Sequence, residues 1–255
     1  AAHCVLDFAR TTQFLRGIYA AIIELQKRFS TESLEILYAG CGPYGALITP
    51  LLTLFQSNNL RVTLIDIHER SIAGVTKIIS ELKFEAFIAE IHCADAITFQ
   101  HDKKPHLIIC ESMQNALQKE PQVALTSNLA PQLIENGIFI PQKISVQACL
   151  ANTSKEFSTE GEKRERTYFG EIFNLEAEKL IAVDKAQEKI IEIPQTDLEN
   201  ADFMLLTKVE IFDRFGLDDY DSGISYPLTL RDLQNLSSGS RIAFKYISDT
   251  NPRFE

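Results

Sequence analysis

Cysteine and histidine are sparse in this sequence, and their spacing fits neither a disulfide framework nor a metal site. The chain of 255 residues has five cysteines, none in a C-x-x-C pair, and five histidines without an H-x-x-x-H pattern. An odd, unpaired set of cysteines argues against structural disulfides and zinc. We therefore predict reduced thiols, no bound metal and a cytoplasmic protein.

Basic residues are outnumbered, and long apolar runs are missing. The chain has 25 Lys and Arg against 35 Asp and Glu, a net charge of -10. Nucleic-acid surfaces depend on clustered cations, so we predict no nucleic-acid partner. We also predict no membrane association, since no segment reaches the length of a membrane span and no signal peptide is evident. The sequence begins with Ala1, so it leaves undecided whether further residues precede this position.

Strand and helix patterns alternate through the first part of the chain. Helical periodicity covers residues 7–29, and five short apolar segments follow at 34–38, 61–66, 87–92, 106–110 and 138–140. Such alternation predicts an α/β fold with a Rossmann-like, mainly parallel sheet. A helix is predicted at 46–55, with Pro50 near its second turn.

The pattern changes near residue 142. Apolar and polar residues alternate from Ile144 to Leu150, which predicts a half-buried strand, and the same period recurs at 205–211 and 242–246. Residues 152–166 are polar and predict an exposed loop. We therefore predict two domains: a ligand-binding domain with an N-terminal helix at 1–142, and a mostly antiparallel, barrel-like β domain at 143–255 that contributes to acceptor binding or oligomerisation.

A glycine loop, Y-A-G-C-G-P-Y-G at 38–45, follows the first predicted strand. Gly40 and Gly42 permit backbone torsions and a close ligand approach that a Cβ would hinder. We expect the loop to present free N–H groups at a helix start, where a nucleotide-like ligand docks. Asp66 follows Gly45 by about 20 residues and would accept hydrogen bonds from a ribose diol. The motif alone fits NAD and an S-adenosyl group equally.

Acidic residues follow the next two predicted strands. Asp95 comes after the third strand and Glu111 after the fourth. Because ligands of open α/β sheets bind at the carboxyl ends of the strands, these acids are predicted to share one site with Gly40 and Asp66.

This order of helix, glycine loop and acids resembles the class I S-adenosylmethionine-dependent methyltransferases over about residues 7–142. The resemblance implies S-adenosylmethionine as cofactor, with Gly40 and Gly42 shaping the loop, Asp66 binding the ribose and Asp95 the adenine amine. One position departs from the pattern: Tyr38 stands where the family usually has Asp or Glu.

Two further segments resemble the protein arginine methyltransferases. Residues 110–120, C-E-S-M-Q-N-A-L-Q-K-E, are similar to that group's double-Glu loop, and the segment from Asp7 to Thr11 is similar to its D-x-x-R-T motif. The resemblance implies that Glu111 and Glu120 bind an acceptor guanidinium in paired hydrogen bonds. It further implies that Arg10 binds the methionine carboxylate, that a β-barrel domain follows, and that the protein is a homodimer.

The sequence also departs from that group. It has no tryptophan, so the group's Thr-His-Trp loop is absent, and Gln114-Asn115 replaces the usual aromatic pair. We therefore predict methyl transfer to nitrogen or oxygen of a small-molecule, peptide or protein acceptor, arginine among them. An NAD-dependent oxidoreductase and a non-catalytic methyltransferase-like binding protein stay open as alternatives. Three cysteines near strand ends are predicted to be small packing residues: Cys41, Cys93 and Cys110.

Overall fold

The computed structural model describes residues 5–158, 164–182, 188–194, 201–230 and 238–255. Its first half is built on a parallel sheet in the order β3-β2-β1-β4-β5. The strands are β1 (Leu34–Ala39), β2 (Leu60–Asp66), β3 (Ile88–Cys93), β4 (Leu107–Cys110) and β5 (Ile138–Ile140). The strand order reverses between β1 and β4, and such a reversal opens a crevice at the carboxyl edge. The predicted Rossmann-like sheet is confirmed.

The two central strands are fully buried. Every residue of β1 and of β4 is buried, and β2 has a single exposed residue, Arg61. Helices cover both faces of a parallel sheet, which is why these strands are continuous apolar runs rather than alternating ones.

The first helix, α1 (Phe8–Arg28), joins the two halves of the molecule. Asp7 caps it by accepting the Arg10 N–H at 3.1 Å. Its buried face recurs with helical spacing: Phe14, Ile18, Ala21, Ile22 and Leu25. A Cβ on Gly17 would stand 2.5 Å from the Ile211 side chain, so glycine lets the helix lie directly against the second half.

The segment after the glycine loop corrects the predicted helix at 46–55. Only α2 (Thr49–Leu52) is helical there, preceded by turns. Pro50 lies in the first turn of this helix, where a backbone N–H would have no partner within the helix. Its ring would clash with a preceding helical turn, so the helix does not begin earlier. Two longer helices follow, α3 (Glu69–Glu81) and α4 (Gln122–Leu129). Among the described residues, every helix is too short or too polar to cross a lipid bilayer.

The second half is antiparallel, as predicted. One sheet has the order β10-β9-β6-β7, with β11 also paired to β9, and a smaller sheet has the order β13-β12-β8. The strands are β6 (Lys143–Asn152), β7 (Arg166–Glu176), β8 (Glu188–Glu192), β9 (Ala201–Phe212), β10 (Phe215–Leu217), β11 (Leu228–Thr229), β12 (Arg241–Ile247) and β13 (Arg253–Phe254). These described strands do not close into a barrel. The domain division at residue 142 stays a prediction.

Two details of this half differ from prediction. The end of β6 is buried on both faces, because Cys149 and Ala151 form a small core with Met204 and Leu206. The predicted exposed loop at 152–166 begins with a helical turn, α5 (Thr153–Glu156). Its last residue, Glu156, is only 2% exposed because it is ion-paired. Residues 159–163 of that loop lie outside the described residues.

Candidate active site

A cavity of about 460 Å³ opens at the carboxyl ends of β1, β2 and β4. Its volume is in the range of small-molecule sites. Six of the seven predicted site residues line it: Arg10, Gly40, Asp66, Asp95, Glu111 and Glu120. The seventh, Gly42, follows Cys41, which also lines the cavity. The fold thus brings the predicted residues together, while their roles stay predictions.

The glycine loop differs from expectation in its hydrogen bonding. The N–H groups of Gly40 and Cys41 both donate to the Ile65 carbonyl, at 2.9 and 3.0 Å. The next N–H, that of Gly42, donates to Asp66 at 2.9 Å. The expectation of free N–H groups is therefore wrong for these three residues, because β2 runs alongside the loop and supplies their acceptors.

What the loop offers a ligand is space. Gly40 has φ +72°, in the left-handed region that favours glycine. A Cβ placed there would have one described heavy atom within 4 Å, the Cβ of Ser112 at 4.0 Å. The residue therefore borders open volume, and any side chain at this position would enter the cavity.

Asp66 holds the loop against the end of β2. One carboxylate oxygen accepts the Gly42 N–H at 2.9 Å and the other accepts the His68 N–H at 2.8 Å. The residue is only 6% exposed, so these bonds compensate the burial of its charge. Each oxygen keeps a second lone pair, which leaves the carboxylate able to accept hydrogen bonds from a diol in the cavity.

Asp95 lies on the outer wall of the cavity. It is exposed, and its Oδ1 accepts the Ile97 N–H at 2.9 Å in a tight turn after β3. Ala94, Ala96 and Ile97 line the same wall. This wall suits a nucleobase. Its apolar surface can pack on the flat ring, and its carboxylate can accept a hydrogen bond from an exocyclic amino group.

Arg10 and Glu111 form an ion pair inside the cavity wall. Their side chains are 11% and 5% exposed, so the pair is largely removed from water. Only Oε2 of Glu111 contacts Arg10. The other oxygen, Oε1, is buried and has no hydrogen-bond partner among the described residues. A buried carboxylate oxygen without a partner is unfavourable, and it marks a place where a ligand donor would bind.

Asp7 fixes the position of Arg10. Besides capping α1, its second carboxylate oxygen accepts the Ser222 hydroxyl at 2.7 Å and the Gly223 N–H at 2.9 Å. Burial opposes its ionisation, but these hydrogen bonds, with that from Arg10, lower the pKa of Asp7 overall. Asp7 therefore ties the first turn of α1 to the second half of the molecule.

The segment between Glu111 and Glu120 is strained and firmly fastened. Ala116, Leu117 and Lys119 all have positive φ, between 53° and 64°. Non-glycine residues in this region store strain, which surrounding contacts must offset. Four residues of the second half supply hydrogen bonds to it, through either side chains or backbone: Thr207, Tyr226, Tyr246 and Pro252.

Glu120 ends this segment and lines the same cavity as Glu111. Its carboxylate accepts the Gln114 side-chain N–H at 3.2 Å. Pro121, the residue that precedes α4, follows directly and does not turn Glu120 out of the cavity wall.

Gln122 was not anticipated. It is fully buried, and its Oε1 accepts the Ser112 N–H at 2.8 Å while its Nε2 donates to the Cys110 carbonyl at 2.9 Å. These two bonds clasp the residues on either side of Glu111. A glutamine in a helix carries no sequence signature, so its role is apparent only from these two contacts.

Two of the three cysteines near strand ends, Cys41 and Cys110, are buried packing residues as predicted, whereas the prediction is wrong for Cys93, which is exposed at the edge strand β3. Burial raises the pKa of Cys110 to about 12, and burial with the neighbouring Asp66 does the same for Cys41. Of the three cysteines near strand ends, only Cys41 lines the cavity. In the part of the chain that is described, no cluster of three or more His, Cys, Asp or Glu residues could hold a metal ion.

Comparison by sequence gives no relative: no protein-family model matches the chain. No curated protein matches it either.

Comparison by structure finds solved proteins with a similar fold. The T. brucei PRMT1 enzyme-prozyme heterotetrameric complex with AdoHcy matches with a TM-score of 0.58 and 15% identity, over 95% of this chain and 85% of the other. Arabidopsis thaliana protein arginine methyltransferase 10 matches with a TM-score of 0.60 and 9% identity, over the same shares.

The chain has a protein arginine methyltransferase fold. At this level of identity the likeness concerns the fold alone, and it extends over 95% of the chain. The predicted Rossmann-like sheet followed by a mostly antiparallel second half is confirmed. The resemblance to the protein arginine methyltransferases is confirmed at the level of the fold.

Proposed function

We propose that the protein transfers a methyl group from S-adenosylmethionine to a guanidinium nitrogen of an acceptor held by Glu111 and Glu120. The observation that carries this proposal is the carboxylate of Glu111, buried in a cavity wall with one oxygen on Arg10 and the other without a partner. The fold supports methyl transfer, and the acceptor assignment rests on the charges in the cavity.

The cavity residues fit the cofactor by their chemistry. Gly40 leaves space beside the loop, Asp66 keeps lone pairs for the ribose hydroxyls, and Asp95 can accept from the adenine amine. Arg10 supplies the cation for the methionine carboxylate. When bound, the cofactor supplies a methyl group already activated by a positively charged sulfur, so the protein's task is positioning and charge placement.

The acceptor assignment follows from charge. Glu111 and Glu120 line the same cavity, and a planar guanidinium can donate to two carboxylates in fixed directions. Their negative charge would hold the acceptor, and one of the two carboxylates would accept the proton that the nitrogen loses as its bond to the methyl carbon forms and the sulfur–methyl bond breaks. Gln122 holds the backbone on either side of Glu111, which limits the positions that this carboxylate can reach.

The alternatives carry less support. Both structural neighbours are methyltransferases, which favours methyl transfer over a nicotinamide-dependent reaction. A non-catalytic binding protein is favoured by two observations: the loop N–H groups are satisfied internally, and Tyr38 is buried where the resembling family has an acid. Transfer of a methyl group to any acceptor would exclude it.

The homodimer also stays a proposal. The T. brucei neighbour forms an enzyme-prozyme heterotetramer, so we expect this chain to self-associate. Light scattering should give twice the chain mass of 28.7 kDa. The mass of a single chain would contradict it.

The proposal is tested with tritiated S-adenosylmethionine and three acetylated pentapeptides, Gly-Gly-X-Gly-Gly, with X being Arg, Lys or Gln. We expect label in the Arg peptide, with a rate about a hundredfold lower in Glu111→Gln because the acceptor loses its positioning group. Glu24→Gln, on the outer side of α1, is the matched control and should retain the wild-type rate. Transfer of label to the Lys peptide alone would overturn the guanidinium assignment. Transfer to none of the three peptides would contradict the proposed methyltransferase activity.

A further inference from the structure

The ion pair of Arg10 and Glu111 leaves one hydrogen-bonding position empty in the cavity wall. Oε2 of Glu111 contacts Arg10, whereas Oε1 is buried and has no hydrogen-bond partner among the described residues. The Glu111 side chain is only 5% exposed, so bulk water compensates this oxygen poorly. A charged N–H donor that enters the cavity would therefore gain by binding to Oε1.

The other acids of the cavity wall are placed differently. Asp66 uses both carboxylate oxygens to accept backbone N–H groups, Asp95 is exposed beyond the edge strand β3, and Glu120 accepts a side-chain N–H. Within the described part of the chain, Glu111 is the acid of this wall that is paired with a cation, Arg10. A positive and a negative side chain thus stand side by side at one point of the cavity.

Such a pair matches the two charges of an α-amino acid. The carboxylate and the ammonium of an α-amino acid are bonded to the same carbon, so both reach only neighbouring partners. A ligand carboxylate on Arg10 would therefore place its ammonium against Glu111, in a charge-assisted hydrogen bond. The glycine loop at 38–45 contains no acid that could compete for the ammonium.

Charge balance in the cavity favours the same ligand. A zwitterion brings no net charge to the buried pair, and each of the four charges would then lie beside an opposite one. A ligand with net negative charge, such as the pyrophosphate of a dinucleotide, would instead set its charge against the buried Glu111.

We propose that Arg10 and Glu111 together bind the α-amino acid end of the cofactor, with the carboxylate on Arg10 and the ammonium donating to Oε1 of Glu111. This inference rests on the proposed function, which supplies the cofactor. Oε2 of Glu111, released by Arg10, would then bind the acceptor guanidinium together with Glu120. Glu111 is thus a positioning residue for both ligands, and the site selects adenosine ligands that carry both charges.

Calorimetry with three thioether ligands tests this inference: S-adenosylhomocysteine, its deamino analogue and its decarboxy analogue. In each analogue a hydrogen atom replaces one charged group, so the wild-type protein alone reports what that group contributes. Each ligand is also titrated into Glu111→Gln and into two comparison variants, Glu120→Gln and Asp66→Asn. Circular dichroism checks that each variant folds, and retained binding of the deamino analogue shows that the Glu111→Gln cavity is intact.

We expect the loss of either charged group to weaken binding to wild type about tenfold. Glu111→Gln should weaken S-adenosylhomocysteine and the decarboxy analogue by a similar factor, because both carry the ammonium, and should not weaken the deamino analogue. Asp66→Asn should weaken all three ligands equally, since all three carry the ribose. Glu120→Gln should leave all three affinities at wild-type values.

Two results would overturn the inference and leave the proposed function intact. The first is a Glu111→Gln variant that loses no affinity for S-adenosylhomocysteine, or that loses equal affinity for this ligand and the deamino analogue. The second is a loss confined to the ammonium-bearing ligands in Glu120→Gln, which would assign the ammonium to the other glutamate. Absent binding of S-adenosylhomocysteine to wild type would contradict the proposed function instead, and the inference with it.

Discussion

Arg10 and Glu111, 101 residues apart in the chain, form a buried ion pair in the wall of the cavity. The sequence suggested different ligands for them, a carboxylate for Arg10 and a cation for Glu111. The two side chains instead pair with each other, and they stay paired until a cofactor or an acceptor displaces one of them. A cofactor carboxylate that binds Arg10 would weaken its hold on Glu111, which would then be available to the acceptor. We therefore expect cofactor binding to strengthen acceptor binding.

The first prediction concerns the stability of this pair. Arg10→Met should lower the free energy of unfolding by about 3 kcal/mol, because it leaves a buried carboxylate without its partner. The double variant Arg10→Met/Glu111→Leu should recover most of that loss, since it removes both charges. Urea denaturation of the two variants, of Glu111→Leu and of wild type completes the cycle. Strictly additive losses would show that the two side chains do not interact.

The second prediction concerns Gln122, the residue that clasps both sides of Glu111. Gln122→Leu should lower the free energy of unfolding by about 2 kcal/mol, because the Ser112 N–H and the Cys110 carbonyl lose buried partners. Ser127→Ala, one turn further along α4 and exposed, should change it by less than about 0.5 kcal/mol. Equal stabilities of the two variants in urea would contradict the clasp.

The third prediction concerns the dependence of stability on pH. Burial opposes ionisation of Glu156, but hydrogen bonds from Arg166 and Tyr220 lower its pKa below the ordinary 4.5. Its contribution to stability is therefore complete above pH 4.5 and is lost as the pH falls through the lower folded pKa. We expect Glu156→Gln to lower the free energy of unfolding by about 3 kcal/mol at pH 7 and by progressively less below pH 4.5.

Its control is Glu165→Gln, which changes an exposed acid paired with Lys155. This variant should lie within about 1 kcal/mol of wild type at every pH, as exposed pairs usually do. A Glu156→Gln deficit that stays constant or grows towards acid pH would contradict the assigned direction.

Much of the fold could be predicted because its signals are local. Continuous apolar runs indicated the parallel strands, and the carboxyl ends of those strands brought Gly40, Asp66, Asp95 and Glu111 to one cavity, as their order in the sequence implied. The predicted helix at 46–55 is wrong because Pro50 confines the helix to a single turn.

What could not be predicted depends on distant partners. The glycine-loop N–H groups are occupied by Ile65 and Asp66 because of how β2 lies beside the loop, which no motif specifies. The burial of Glu156 depends on its ion pair with Arg166, whose guanidinium also pairs with Asp219. Phe157 and Tyr226 stack on each other, and the residues beside them in sequence form no pattern that predicts this contact.

Calorimetric titration of the protein with S-adenosylmethionine measures directly whether the cavity binds this cofactor. We expect saturable one-to-one binding to wild type, and an affinity at least about tenfold lower in Asp66→Asn, where a charged acceptor and an anchor of the loop are lost. Asp102→Asn, an exposed acid outside the cavity, should bind like wild type. No saturable heat in wild type, or undiminished affinity in Asp66→Asn, would contradict the claim.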